Sequence, residues 1–264
     1  MCYYIYGDYM KIIKYHKVGK DKYKILFDNK EELIILQDVI IKNELLLKKE
    51  IDIKLYNKII KDNLTATIYN SCLNLISTRI RSTNEIKEYL NKKEIDLSTQ
   101  EQVINNLVAR GYLNDEIYTK CYITDKINLT NNGPYKIINE LKKQKIEDEL
   151  INKYLYNEEN NILFAEKIKK IINKSIKNNK KYSGNLLRRK IYYYLINLGY
   201  DQSMISRLID EYNFTNTDNI KNVYQKLTNK YQKKYPVDKL PYIIKEKLLA
   251  KGYTIDEING ININ

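Results

Sequence analysis

The residues able to carry chemistry in this 264-residue chain are few in kind. His16 is its only histidine, so neither a histidine-rich metal site nor a serine-type triad can be built. Cys2, Cys72 and Cys121 are odd in number and far apart, which fits neither a disulfide scaffold nor paired zinc ligands. Cys72 falls among Tyr69, Leu73 and Ile76 in a helical pattern and is expected to be a small buried hydrophobe. The eight glycines form no G-x-x-x-x-G-K-S/T and no G-x-G-x-x-G, which excludes the P-loop and the dinucleotide fingerprint. Carboxylates are plentiful, but none sits in a pattern that suggests a paired acid and base. The expectation is a non-enzymatic protein with no catalytic residues, no metal and no cofactor.

What remains is positive charge. Lys167, Lys170, Lys174, Lys177 and Lys181 recur at three and four residues, forming one stripe on a helix expected over 162–181. Phe164, Ile168, Ile171, Ile172 and Ile176 form the opposite, apolar face. Leu186-Leu187-Arg188-Arg189-Lys190 follows at the start of the next helix. Such a ridge can meet a phosphate backbone or an acidic protein groove; the alternative is a solvated lysine face. Tyr192, Tyr193 and Tyr194 could stack on bases or pack half-buried.

The formal charge is +13, yet Lys, Ile, Asn and Tyr all have A/T-rich codons, so the total alone says little. Its distribution says more. Residues 115–159 carry 7 basic and 9 acidic side chains, or −2, whereas 160–212 carry 11 and 4, or +7. Uniform codon drift does not leave one segment acidic beside a strongly basic one. The basic surface is local.

The elements that must position these residues follow from patterning. The composition, 43% hydrophobic and 30% charged, is that of a globular chain. No apolar run approaches the roughly 18 residues needed to span a bilayer, and Met1–Tyr6 lacks the basic start and cleavage site of a secretory leader. A cytoplasmic location is expected. Lys11–Tyr15, Tyr23–Phe27 and Leu33–Leu36 are β-prone runs separated by turn-like segments, which predicts an N-terminal hairpin or three-stranded sheet. From Asp38 onward the pattern is helical, and it repeats. The apolar set Ile86, Leu90, Ile95, Ile104 returns as Ile137, Leu141, Ile146, Ile151, then as Ile191, Leu195, Tyr200, Ile205, and again as Ile244, Leu248, Tyr253, Ile258. A fifth column is Leu107, Tyr154, Leu208 and Ile261, and one insertion falls within 96–100. A longer helix is expected before each set, over 64–78, 115–130, 162–181 and 218–234. The fold expected is therefore mainly α: tandem three-helix, helix-turn-helix-like repeats in an elongated curved rod. Its divisions are an N-terminal element over 1–62 and repeats over 63–114, 115–159, 160–212 and 213–264. Ser82-Thr83-Asn84-Glu85 reads as a capping box, and Asn131-Asn132-Gly133-Pro134 and Tyr182-Ser183-Gly184-Asn185 read as helix boundaries.

Three ordered segments carry a family resemblance. The run Ser77-Thr78-Arg79-Ile80-Arg81-Ser82-Thr83-Asn84-Glu85-Ile86-Lys87-Glu88-Tyr89-Leu90 resembles the RecX signature S-x-R-x-R-S-x-x-E-L/V-x-x-x-L. Gly111-Tyr112-Leu113-Asn114-Asp115 is similar to its G-Y-L/I-D/N-D block. Gly133 to Leu141 resembles K-G-x-x-x-I-x-x-E-L, with Asn132 where the family usually has lysine. The N-terminal extension and fourth repeat resemble the long form of low-GC Gram-positive bacteria. The resemblance implies a modulator, mainly an inhibitor, of the RecA recombinase. Such a protein lies in the groove of the RecA–DNA filament and lowers strand exchange, ATP hydrolysis and co-protease activity. It would act in DNA repair, homologous recombination and the SOS response, as a monomer, with direct DNA contact left open. Arg79 and Arg81 match the two signature arginines; they either contact the filament or its DNA, or brace the helix junction. The other reading from a different class is an independent helix-turn-helix-like DNA-binding protein.

Overall fold

The computed structural model describes residues 9–261. The readings placed on Cys2 and on the first six residues lie outside that range. The chain divides into two compact units, Met1–Tyr118 and Thr119–Asn264.

The described part of the first unit runs through β1 (Tyr9–Lys17), β2 (Lys22–Phe27) and β3 (Glu32–Leu36), then α1 (Gln37–Lys42), a 3-10 turn (Leu45–Leu47) and β4 (Glu50–Asp52). The sheet is antiparallel in the order β3-β2-β1-β4. Among the described residues it has four strands, against the two or three of the expected hairpin or three-stranded sheet. The pattern after Asp38 is not helical throughout, because Glu50-Ile51-Asp52 pairs with Tyr9–Lys11. Three residues are too short for alternation to reveal a strand. Ile25 and Phe27 alternate inward and meet Ile35, Val39, Leu45, Ile51 and Ile59 in one core.

The outer edge of β3 is closed by a side chain. The Leu36 N–H donates to Asn63 Oδ1 at 3.0 Å, and Asn63 Nδ2 donates to the Ile34 carbonyl at 3.0 Å. One amide thus does what a neighbouring strand's peptide would do.

Asn63 stands on α2 (Ile53–Thr78), capped by Asp52, whose carboxylate accepts from the Leu55 N–H at 2.7 Å. This helix begins eleven residues before the expected 64–78 because its buried side changes along its length. Ile59 faces the sheet core, whereas Ile68 and Cys72 belong to a second core. Nine residues at about 100° each bring Ile68 round to the side opposite Ile59, so no single apolar stripe marks the whole helix. The second core also takes Ile86 and Leu90 from α3 (Thr83–Lys92) and Val103, Ile104 and Leu107 from α4 (Leu97–Ala109). Cys72 is fully buried there, and burial pushes its thiol up to about 11, the behaviour of a packing residue.

The cut between units falls inside α5 (Asp115–Leu129). Beyond it come α6 (Pro134–Lys143), α7 (Asp148–Leu155), α8 (Glu158–Asn178), α9 (Gly184–Asn197), α10 (Gln202–Ile209), a 3-10 turn (Thr217–Asn219), α11 (Ile220–Tyr231), α12 (Leu240–Leu249) and α13 (Ile255–Asn259). Among the described residues the chain is mainly α, as expected.

The repeated apolar columns have one physical cause. Each middle helix, α3, α6, α9 and α12, ends in the same hydrogen-bonded turn. The N–H groups of Ile95, Ile146, Tyr200 and Tyr253 donate back to the carbonyls of Leu90, Leu141, Leu195 and Leu248 at 3.2–3.3 Å. The residues just before them, Glu94, Lys145, Gly199 and Gly252, all have positive φ. This is the Schellman motif, which brings the side chain after the turn against one in the helix's last turn. The five-residue step from leucine to isoleucine or tyrosine is that contact. Fourteen of the sixteen column residues are buried; Ile95 and Ile258 are half-buried. The fifth column holds at Leu107 and Leu208, but in the second copy the buried residue is Leu155 and Tyr154 is half-buried. The four-residue insertion becomes part of α4, which has 13 residues against 8 in α7 and α10. Adding about one turn leaves the inward face in phase.

Within the second unit, consecutive three-helix groups are joined backbone to backbone. The Gly133 N–H, just before α6, donates to the Leu198 carbonyl at the end of α9 (2.7 Å). The Ser183 N–H, just before α9, donates to Lys251 at the end of α12 in the same way (3.0 Å). A Cβ on Gly133 would lie 2.4 Å from the Gly199 carbonyl carbon, and one on Gly252 would lie 2.1 Å from the Ser183 oxygen. Glycine at 199 and 252 supplies the left-handed turn, and at 252 and 133 it also leaves room for the adjoining backbone.

Candidate partner-binding surface

Helix α8 places the lysine stripe. Asn157 caps it, its Oδ1 accepting from the Asn160 N–H at 2.8 Å, and Glu158 and Glu159 fill the first turn. The helix thus starts four residues earlier than expected, at a signature that was readable in the sequence. Phe164, Ile168, Ile171 and Ile172 are buried, which turns Lys170, Lys174 and Lys177 to solvent.

Two members of the stripe are placed otherwise. Lys167 is half-buried, and its ammonium donates to the Thr130 carbonyl just beyond α5 at 2.5 Å. Burial, then the neighbouring Lys170, holds its pKa below the usual lysine range. Lys167 thus ties α8 to the residue that follows α5. Lys181 is not on α8, which stops at Asn178. There Asn179 takes over: its Oδ1 accepts from the N–H of Lys181 (3.3 Å) and Tyr182 (3.1 Å), and its Nδ2 donates to the Tyr182 carbonyl (2.6 Å). A local side-chain turn of this kind competes with helix continuation. Lys181 is exposed but sits in the connection to α9.

The α9 cations divide by partner. Arg188 is paired with Asp210 at 2.5 Å, and Lys190 lies over the Tyr182 ring at 4.6 Å, as Lys251 does at 5.3 Å. Arg189 is exposed, with no hydrogen bond or ion pair among the described residues. Ser183 precedes α9 but does not cap it; its hydroxyl accepts from the Asn216 N–H (2.9 Å) and donates to Glu257 (3.3 Å). Of the three tyrosines Tyr192 is half-buried, whereas Tyr193 is 59% exposed and Tyr194 48%.

Arg79 and Arg81 belong to the first unit. The expected capping box is formed: the Glu85 N–H donates to Ser82 Oγ, and the Ser82 N–H donates to Glu85 Oε2, both at 3.1 Å. Arg79 binds the Glu85 carboxylate through both terminal nitrogens, and Arg81 approaches the same carboxylate at 3.7 Å. Both signature arginines therefore brace the start of α3 through one glutamate. In the third block, Glu140 accepts from Tyr122 and Lys126, each at 2.7 Å, tying α6 to α5.

Among the described residues no group of three or more His, Cys, Asp or Glu is placed to hold a metal ion, and no helix is long and apolar enough to cross a membrane. Cores take the inward faces of the helices, while Lys170, Lys174, Lys177, Arg189, Tyr193 and Tyr194 are exposed. Together these define a helical-repeat protein with a local basic surface on α8 and α9.

Comparison with known proteins narrows that class. The model of the RecX first three-helix domain matches residues 69–107. Proteins named Regulatory protein RecX align along most of the chain. That of Bacillus subtilis is 27% identical over 94% of this chain and 96% of its own length. That of Oceanobacillus iheyensis is 30% identical over 72% of each. The crystal structure of RecX from Lactobacillus salivarius superposes with a TM-score of 0.52 at 26% identity, covering 56% of this chain and 95% of that one. A second RecX crystal structure, at 23% identity, shares the fold with a TM-score of 0.66 over 76% of this chain. The chain belongs to the RecX family of regulatory proteins.

Proposed function

We propose that this protein regulates the RecA recombinase by binding the RecA–DNA filament in its groove, lowering strand exchange, ATP hydrolysis and co-protease activity. It acts without chemistry or a cofactor, as a cytoplasmic monomer, in DNA repair, homologous recombination and the SOS response. The observation that carries this reading is the alignment, over nearly the whole chain, with proteins named as RecX regulators. The physical arrangement supports it. Repeated helical groups offer several separated contact points, and many weak contacts made together build affinity by multivalency. In this reading Lys170, Lys174, Lys177, Lys181, Arg189 and Lys190 supply the contact surface. Lys167 and Arg188 support it from their internal pairs. Arg79 and Arg81 hold the α3 cap, and the outer side of Arg79 remains open to the partner.

The test is a titration of the protein into RecA strand-exchange and ATPase reactions. Both activities fall as the protein approaches stoichiometry with RecA. Full activity at that ratio would remove the proposal.

A further inference from the structure

The outward side of α9 carries an arrangement that filament binding alone does not require. Arg188 and Tyr192, and likewise Arg189 and Tyr193, are four residues apart, so each cation sits one helical turn before a ring. With Asn185 and Leu186 they line an open pocket of about 450 Å³. The Tyr192 and Tyr193 rings are 5.7 Å apart and nearly perpendicular, at 86°. They do not stack on one another, and Tyr193 is 59% exposed. Asp210 neutralises Arg188, so Arg189 is the pocket's unpaired cation.

We propose that this pocket holds one nucleotide of a single-stranded nucleic acid, with the base stacked on Tyr193 and its phosphate on Arg189. The chemistry selects that occupant among polyanions. An acidic peptide would use the arginine but leave the exposed Tyr193 ring in water. A duplex offers phosphates but keeps its base faces stacked inside. A single strand alone presents a flat π face and an anion within one residue's length, and an exposed ring beside arginine is the arrangement such strands use. The net +7 charge of 160–212 is complementary to it. This deepens the proposed basic surface by assigning one part of it to the strand rather than to the recombinase.

The test needs no recombinase. Binding of a short labelled oligothymidylate is followed by fluorescence anisotropy beside an abasic oligomer of equal length and charge. The unmodified protein binds the oligothymidylate about tenfold more tightly than the abasic oligomer. Tyr193→Ala abolishes that difference with unchanged helical content, and Tyr193→Phe keeps it, since the ring face is what binds. Arg189→Ala weakens both oligomers and lowers the salt slope by about one. Oligouridylate binds as well as oligothymidylate, because neither contact reads the sugar. Equal binding of normal and abasic oligomers by the unmodified protein would overturn the assignment, as would efficient displacement of the oligothymidylate by polyglutamate. Strand-exchange inhibition measured on the same proteins separates the two readings. Inhibition without base discrimination removes this pocket's role alone, whereas base discrimination without inhibition removes the RecA reading alone.

Discussion

At the four equivalent helix ends, the left-handed position is glycine twice and an ordinary residue twice. Glu94 and Lys145 have φ of 54° and 57°, where a Cβ crowds the following carbonyl. Glycine removes that strain but adds freedom to the unfolded chain, so the two effects partly cancel. Lys145→Gly is expected to stabilise by about 0.5–1 kcal/mol, read as a higher urea midpoint at unchanged slope. Gly199 and Gly252 have no such latitude. The contrast is a matter of tertiary surroundings, which no single-sequence pattern states.

Glu140 extends the argument to titration. Burial raises its pKa, but hydrogen bonds from Lys126 and Tyr122 outweigh that and hold it below the usual carboxylate range. A carboxylate with a depressed folded value contributes stability that is present above its ordinary pKa and lost as pH falls through the lowered one. Glu140→Gln should therefore unfold at a lower temperature at neutral pH and lose less on acidification below about pH 4.5. A parallel pH dependence of the two proteins would contradict this.

At the scale of elements, the decisive feature is the backbone joint between successive helical groups. Gly133→Ala places a methyl 2.4 Å from backbone that cannot rotate away, and about 2–3 kcal/mol of destabilisation is expected by calorimetry. The same joint explains what was legible in the sequence. The columns from Ile86 to Ile258 were readable because helix periodicity and the Schellman turn both act over five residues or fewer. The capping box at Ser82 is equally local, and it formed. Strand β4, the early start of α2 and the hidden role of Lys167 depend on partners 37 or more residues away, or on a change of buried face. Ser183 makes the point in reverse: it looks like a cap, but long-range bonds to Asn216 and Glu257 claim its hydroxyl. Arg79 and Arg81 were seen, but only geometry brings both to Glu85.

At the scale of the whole molecule, charge is unevenly placed, and binding should report that. Replacing Lys170, Lys174, Lys177 and Lys181 by alanine removes four exposed cations and no buried contact. Helical content should stay the same while filament affinity falls, with a shallower dependence on salt. Unchanged affinity across a salt series would show that the stripe is ordinary solvated surface.

The amide of Asn63 has a consequence beyond its own two bonds. Without it, β3 would present a free donor and a free acceptor to any extended chain drifting past, including another copy of the same sheet. A single residue on a helix thus acts as a stopper against polymerisation. Asn63→Leu should leave the monomer folded at high dilution yet sediment as larger species as concentration rises. In a protein whose proposed task is to restrain one polymer, that side chain keeps its own sheet from starting another.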